Sequence, residues 1–146
     1  MVRGLDVGQT VEFEAPFGGF VFRRDDPRRP LFVAEEIGIV PIRAMLADLD
    51  ETGFALQGTL VYRGRDASWL LYHAEFLELA QRRRGFAYHP VVGDAGAVET
   101  AVDALASDSR DLVAYVSGGG AMIDAARKVL VAKGLDRKSV RWEKFW

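Results

Sequence analysis

The chain of 146 residues contains no cysteine. This absence excludes disulfides, thiolate zinc sites, cysteine-ligated iron–sulfur clusters and a cysteine nucleophile. The sequence also lacks an apolar run near the roughly 20 residues that cross a bilayer, and its first residues show no basic region followed by an apolar core. These absences predict a cytoplasmic protein that does not engage a membrane.

Neither sign of charge dominates the chain. The 19 Lys and Arg residues nearly balance 21 Asp and Glu residues, which gives a net charge of −2. A general cationic field for a polyanion is therefore missing, and no nucleic-acid partner is expected. The content of 49% hydrophobic and 27% charged residues is typical of a folded globular domain.

Strand-like apolar runs alternate with segments of helical period from residue 31 onward. Strands are predicted at residues 31–34, 58–62, 86–92, 112–117 and 140–145, and helices at 38–49, 69–84, 97–106 and 121–133. This alternation predicts an α/β, Rossmann-like fold, in which a five-stranded parallel sheet carries helices on both faces. Gly53, Gly85 and Gly134 follow three of the helical segments, where a left-handed cap is expected.

The first 30 residues have a different character. Residues 11–22 resemble two short strands around a turn at Pro16, Gly18 and Gly19, and residues 23–30 are charged and punctuated by proline. We therefore expect a short β remnant and linker over residues 1–28 and the α/β domain over residues 29–146.

Two loops at the carboxyl ends of the predicted strands carry the strongest site signals, because ligands of such sheets bind there. Residues 34–41 lead from a buried strand into a helix, with Gly38 in the turn and Pro41 in the first helical turn. The three glycines Gly118–Gly120 form a second strand-to-helix turn, where a ligand can approach bare backbone and helix N–H groups.

These loops, in this order, resemble the nicotinamide-nucleotide-binding domain of the ferredoxin–NADP reductase family. Residues 38–41, reading Gly-Ile-Val-Pro, are similar to the end of that family's Gly-Gly-Thr-Gly-Ile-Ala-Pro turn. Residues 117–122, reading Ser-Gly-Gly-Gly-Ala-Met, resemble its Cys-Gly-Pro-Pro-x-Met turn, and residues 143–145 resemble its closing Glu-x-Phe. Residues 5–11 and 15–20 are similar to the last strands of the family's flavin-binding barrel, most of which is absent.

The resemblance implies an oxidoreductase module. It would bind NADH or NADPH and deliver a hydride to FAD or FMN held on a missing domain or on a partner chain. A flavin-binding domain or subunit and an electron-carrier protein are the implied partners, and the isolated chain is expected to be inactive.

The resemblance also assigns site residues. Ser117 and Glu143 take the positions near the nicotinamide and are the implied catalytic residues, with capping of nearby backbone as the alternative role of Glu143. Asp94 stands where it would repel a 2′-phosphate, which favours NADH. The implied nucleotide-binding residues are Gly38, Pro41, Arg63, Arg65, Asp94, Gly118, Gly119, Gly120, Met122 and Trp146. Arg63 and Arg65 are equally well explained as solvated surface charges, and Trp146 as a packed aromatic. No metal is predicted, because His73 and His89 have no partners at ligand spacing.

The chain departs from the family pattern at the first loop. Glu35, Glu36 and Ile37 replace two glycines and a threonine, so two carboxylates lie where a pyrophosphate is expected. Like charges there oppose dinucleotide binding. The alternative hypothesis is therefore a non-catalytic interaction or regulatory module that kept the fold and lost the nucleotide.

Overall fold

The computed structural model describes residues 4, 6–14, 18–53, 55, 57–106 and 111–146. Within these residues, five strands alternate with four α-helices. The strands are β1 (Arg29–Glu35), β2 (Gly58–Gly64), β3 (Phe86–Val92), β4 (Leu112–Gly118) and β5 (Val140–Lys144). The helices are α1 (Ile39–Glu51), α2 (His73–Arg82), α3 (Ala95–Leu105) and α4 (Gly120–Ala132).

All strand pairs are parallel, in the order β3-β2-β1-β4-β5. The three inner strands are almost entirely buried, as the continuous apolar runs predict, because helices cover both faces. The predicted fold class is confirmed. Within the described part of the chain, no helix has the length and apolarity that a membrane span requires.

The sheet separates two apolar clusters. One lies under α1 and α2 and includes Phe32, Tyr115 and Phe76, and the other lies under α3 and α4 and includes Val33, Val116 and Leu130. Burying an apolar side chain of this size stabilises the fold by about 1.5–3 kcal/mol relative to leaving it exposed. The two clusters hold the central strands rigidly, so that the loops at their carboxyl ends have fixed starting points.

The segment before β1 packs on the first of these clusters. Phe22 stacks on Tyr115 with 5.5 Å between ring centroids, and Phe20 meets the same ring edge-on at 6.1 Å. Asp26 accepts hydrogen bonds from Arg28 and forms an ion pair with Arg141 on β5. The Arg28 guanidinium lowers the pKa of the Asp26 carboxyl.

Three details of the prediction are wrong. Residues 11–14 and 18–22 form no strand, because a strand needs a hydrogen-bonding neighbour and the described residues offer none there. Gly85 does not adopt a left-handed conformation, whereas Gly53 and Gly134 do. The segment 69–84 begins later as a helix, because Asp66 caps a separate 3-10 turn over Ala67–Trp69 and α2 starts at His73.

Candidate functional site

The site lies where the direction of the sheet connections reverses. From β1 the chain crosses to β2 on one side, and β4 follows on the other side, so the helices after β1 and β4 lie on opposite faces of the sheet, a topology that forms a crevice at the carboxyl ends of the strands. Ligands of doubly wound sheets bind in that crevice. The predicted loops at residues 34–41 and 117–120 are the two that meet there.

Gly38 joins the two loops by backbone contact. A Cβ at this position would overlap the Ser117 carbonyl oxygen and lie 2.7 Å from the Gly118 nitrogen. Only glycine permits this approach, which brings the start of α1 against the end of β4. Pro41 lies in the first turn of α1, as predicted. Gly38 thus allows the loops after β1 and β4 to lie in direct backbone contact.

The glycine turn is the start of α4. Gly118 has φ +154°, and Gly119 is the N-cap residue of the helix. Gly118 and Gly119 are buried, and Gly120 is half-buried. The Phe145 N–H donates to the Gly118 carbonyl at 3.0 Å, and the Gly120 N–H donates to the Trp146 carbonyl at 3.1 Å. Residues 145 and 146 therefore pair with the glycine turn through two backbone hydrogen bonds.

Glu35 reaches into the same turn from β1. Its Oε2 accepts a hydrogen bond from the Gly119 N–H at 3.1 Å, and its Oε1 accepts one from Arg63 Nη1. The pair is possible because Glu35 and Arg63 are register partners on adjacent parallel strands. Both side chains are largely buried, with exposed fractions of 9% and 14%. Arg63 is also held by the Gly93 carbonyl, to which its Nε donates at 2.6 Å.

The two carboxylates of this loop have different environments. Glu35 is paired and buried, whereas Glu36 is half-buried and has φ +46°, a backbone conformation that glycine favours. The two carboxylates expected at the pyrophosphate position therefore differ in their contacts. One carboxylate is neutralised inside the site, and the other residue carries backbone strain.

Tyr62 connects this loop with the loop after β2. Its hydroxyl accepts a hydrogen bond from the Leu71 N–H at 3.1 Å and lies within donor distance of the Glu36 and Trp69 carbonyls, at 3.1 and 3.0 Å. Burial raises the pKa of Tyr62 to about 12. The sequence pattern does not single out this residue, because a tyrosine inside an apolar strand is typical of a core position.

Ser117 is fully buried, and its Oγ has no hydrogen-bond partner among the described residues. Met122 is also buried, in the cluster under α4. Glu143 is half-buried on β5 as the register partner of Ser117, and its side chain makes no hydrogen bond or ion pair within the described part of the chain. Trp146 is half-exposed beside the glycine turn.

The remaining predicted residues line the neighbouring loops. Arg65 stacks on Trp69, with 3.4 Å from its Cζ to the ring centroid. Asp94 is exposed and caps α3 by accepting the Ala97 N–H at 3.3 Å. Across the described residues, no cluster of three or more His, Asp or Glu side chains is arranged to hold a metal ion.

Known proteins are similar to this chain in sequence. The chain is 31% identical to the reductase component DmpP of phenol 2-monooxygenase from Pseudomonas sp. (strain CF600), over 99% of its own length and 44% of that protein's. It is 26% identical to the reductase component of propane 2-monooxygenase from Rhodococcus jostii (strain RHA1), over 97% and 42% of the two lengths. No protein-family model matches the chain.

Solved structures agree with the fold. The cytochrome P450 reductase GcoB of Amycolatopsis superposes with a TM-score of 0.79 at 20% identity, over 90% of this chain and 42% of that one. The ferredoxin–NADP⁺ reductase of Plasmodium falciparum superposes with a TM-score of 0.77 at 17% identity, over 88% of this chain and 57% of that one. The chain has the nucleotide-binding-domain fold of the ferredoxin–NADP reductase family. The predicted family resemblance is thereby confirmed, and the chain spans less than half the length of these two monooxygenase reductase components.

Proposed function

We propose that the chain is the NAD(P)H-binding module of a flavin-dependent reductase that supplies electrons to an oxygenase. The observation that carries the proposal is the close approach of the loops after β1 and β4 at Gly38, beside the glycine turn that begins α4. The reductase components of phenol and propane monooxygenases align with nearly the whole chain, which supports the same role.

The described residues fit a nucleotide in part. Backbone N–H groups at the start of α4, the Arg63 guanidinium and the Lys144 side chain next to Gly120 would supply donors for phosphate oxygens, and the Gly119 N–H and Arg63 donate to Glu35 in this structure. Glu143 and Trp146 border the place for the nicotinamide. When bound, the reduced nicotinamide would transfer a hydride to a flavin, leaving NAD(P)⁺ and reduced flavin. This chain's residues bind and orient the nucleotide.

NADH is the proposed nucleotide. Asp94 is exposed at the end of β3, where its carboxylate would repel a 2′-phosphate and accept hydrogen bonds from ribose hydroxyls. Arg65 lies stacked on Trp69 after β2 and would flank the adenosine end.

The flavin is proposed to reside on a barrel that residues 1–28 would continue. Several apolar side chains of this segment are exposed, among them Val7, Val11 and Phe13, and a neighbouring barrel would cover them. Phe20 and Phe22 anchor the end of the segment on the sheet. An electron-carrier or oxygenase protein would accept the electrons from that flavin.

A second function, a non-catalytic interaction module, is favoured by one observation. The Glu35 carboxylate already uses the Gly119 N–H and Arg63. Titration calorimetry of the chain with NADH, NADPH and FAD, at low and moderate salt, separates the two functions. The reductase module binds NADH, more weakly as salt screens the phosphate contacts, and does not bind FAD tightly. Absence of NADH binding by both the chain and its Glu35→Gly variant would support the interaction module.

A further inference from the structure

The groups that would recognise a phosphate are occupied by the chain itself. An oxyanion at a helix N-terminus is recognised by backbone N–H groups and, most strongly, by a guanidinium. Here the Gly119 N–H donates to Glu35 Oε2, and the Arg63 guanidinium donates to Glu35 Oε1. The Glu35 carboxylate therefore occupies the place where a phosphate oxyanion would bind.

The space around the carboxylate is tight. A Cβ on Gly119 would lie 2.9 Å from Glu35 Oε2 and 2.6 Å from Trp146 Nε1, and a Cβ on Gly118 would lie 2.8 Å from the Glu35 Cβ. Glu35 thus covers the glycine turn from the β1 side, and Trp146 covers it from the other. A phosphate group and the Glu35 carboxylate cannot occupy this place together.

The subsite would persist without Glu35. Arg63 Nε donates to the Gly93 carbonyl at 2.6 Å, which holds the guanidinium in place independently of the carboxylate. The Gly119 N–H is fixed by the start of α4, where the Ile123 N–H donates to the Gly119 carbonyl at 3.0 Å. Rotation of one glutamate side chain would therefore expose two prepositioned donors.

We infer that Glu35 is an intramolecular competitor that closes the nucleotide site, and that a nucleotide phosphate binds only when this carboxylate has left Arg63 and the Gly119 N–H. The inference rests on the proposed function and adds the regulation of its site. If only a fraction of the molecules is open, the apparent affinity for the nucleotide equals the intrinsic affinity multiplied by that open fraction. Removing the Glu35 carboxylate should restore the intrinsic affinity for the nucleotide.

Glu36 supplies the matched control. It carries the same charge one residue away, but its side chain makes no hydrogen bond or ion pair to the described residues. If simple charge repulsion limited binding, Glu35→Gly and Glu36→Gly would improve affinity equally. If occupancy limits it, only the change at position 35 improves affinity.

The experiment uses the full chain and its Glu35→Gly, Glu35→Ala and Glu36→Gly variants. NADH and inorganic pyrophosphate are titrated separately by calorimetry, and the Gly119 amide resonance is followed by NMR. We expect Glu35→Gly to bind NADH at least about tenfold more tightly than the wild type, and Glu36→Gly to change affinity by less than about threefold. Pyrophosphate should shift the Gly119 amide only in the position-35 variants. Glu35→Ala retains the Cβ and replaces Glu35→Gly if the latter does not fold.

The outcomes separate this inference from the proposed function. Equal NADH affinity of the wild type and the position-35 variants overturns the inference and leaves the function intact. A second outcome is that neither the wild type nor any variant binds NADH, while pyrophosphate binds at Gly119 in the position-35 variants. This outcome overturns the proposed function and supports the role of Glu35 as a competitor. Equal gains from Glu35→Gly and Glu36→Gly, or no anion binding in any position-35 variant, overturn the inference.

Discussion

Glu36 occupies a backbone conformation that is strained for any residue other than glycine, and this strain lowers the stability of the fold. Its φ of +46° lies in the left-handed region, where the Cβ crowds the neighbouring carbonyl. We expect Glu36→Gly to raise the free energy of unfolding by about 1 kcal/mol, since glycine removes that crowding. Urea denaturation measures the change. Glu36→Ala keeps the Cβ and should give no comparable gain; equal gains from both variants would mean that charge, not backbone strain, limits stability.

Gly38 sets the contact between the two site loops. A Cβ at this position meets the backbone of Ser117 and Gly118, which cannot move aside as a flexible side chain can. We expect Gly38→Ala to lower the free energy of unfolding by about 3 kcal/mol. Thermal and urea denaturation check this. Gly19→Ala is the control, because a Cβ there meets no atom within 4 Å; a similar loss in both variants would contradict the close approach at Gly38.

Sequence patterns identify some residues of the candidate site and miss others. Residue type and order alone identify Gly38 and the Gly118–Gly120 turn, since glycine at a strand-to-helix turn is typical of a place where backbone or ligand approaches closely. The buried pair of Glu35 and Arg63 is not predictable in this way. It depends on the register between β1 and β2, and a pattern along the chain does not contain that register.

Among the elements, strand β2 couples the loops on either side of the site through Tyr62. Its hydroxyl joins the backbone after β1 to the backbone after β2, and burial raises its pKa to about 12. We expect Tyr62→Phe to cost about 1–2 kcal/mol of unfolding free energy at neutral pH, because it leaves the Leu71 N–H without its acceptor.

The raised pKa gives this prediction a pH dependence. The unfolded tyrosine ionises near its ordinary pKa of 10.0, whereas the folded one stays protonated to about 12. The hydroxyl's contribution is therefore fully present below pH 10 and is lost as pH rises through about 12. Urea denaturation of the wild type and of Tyr62→Phe from pH 8 to about 11.5 should show that their difference in unfolding free energy narrows above pH 10. A constant difference would contradict the raised pKa of Tyr62.

The elements themselves are largely predictable. Strands β2, β3, β4 and β5 begin at the predicted residues, because their continuous apolar runs follow polar or glycine-containing breaks. The predicted start of α2 is wrong, since Tyr72 adopts a left-handed conformation and Asp66 caps a separate turn. The described residues 11–14 and 18–22 form no strand for a different reason: an apolar pattern forms a strand only beside a hydrogen-bonding partner.

For the whole molecule, the proposed function predicts that the chain acts only together with a flavin-bearing half. The chain superposes on 56% of a FAD/NAD-binding domain of nitric oxide dioxygenase from Vibrio cholerae, with a TM-score of 0.74 and 23% identity. A chimera that carries this chain in place of the matching part tests whether the nucleotide half is competent.

We expect the FAD-loaded chimera to show bleaching of the flavin absorbance by NADH under anaerobic conditions, and the Glu35→Gly chimera to do so at lower NADH concentration. The shift should be about tenfold, because opening the site raises apparent affinity without changing the flavin side. The remaining flavin half alone is the control and should stay oxidised. Bleaching at the same NADH concentration in both chimeras would contradict closure by Glu35. A flavin that stays oxidised in both, with the parent domain reduced normally, would contradict the assignment of nucleotide binding to this chain.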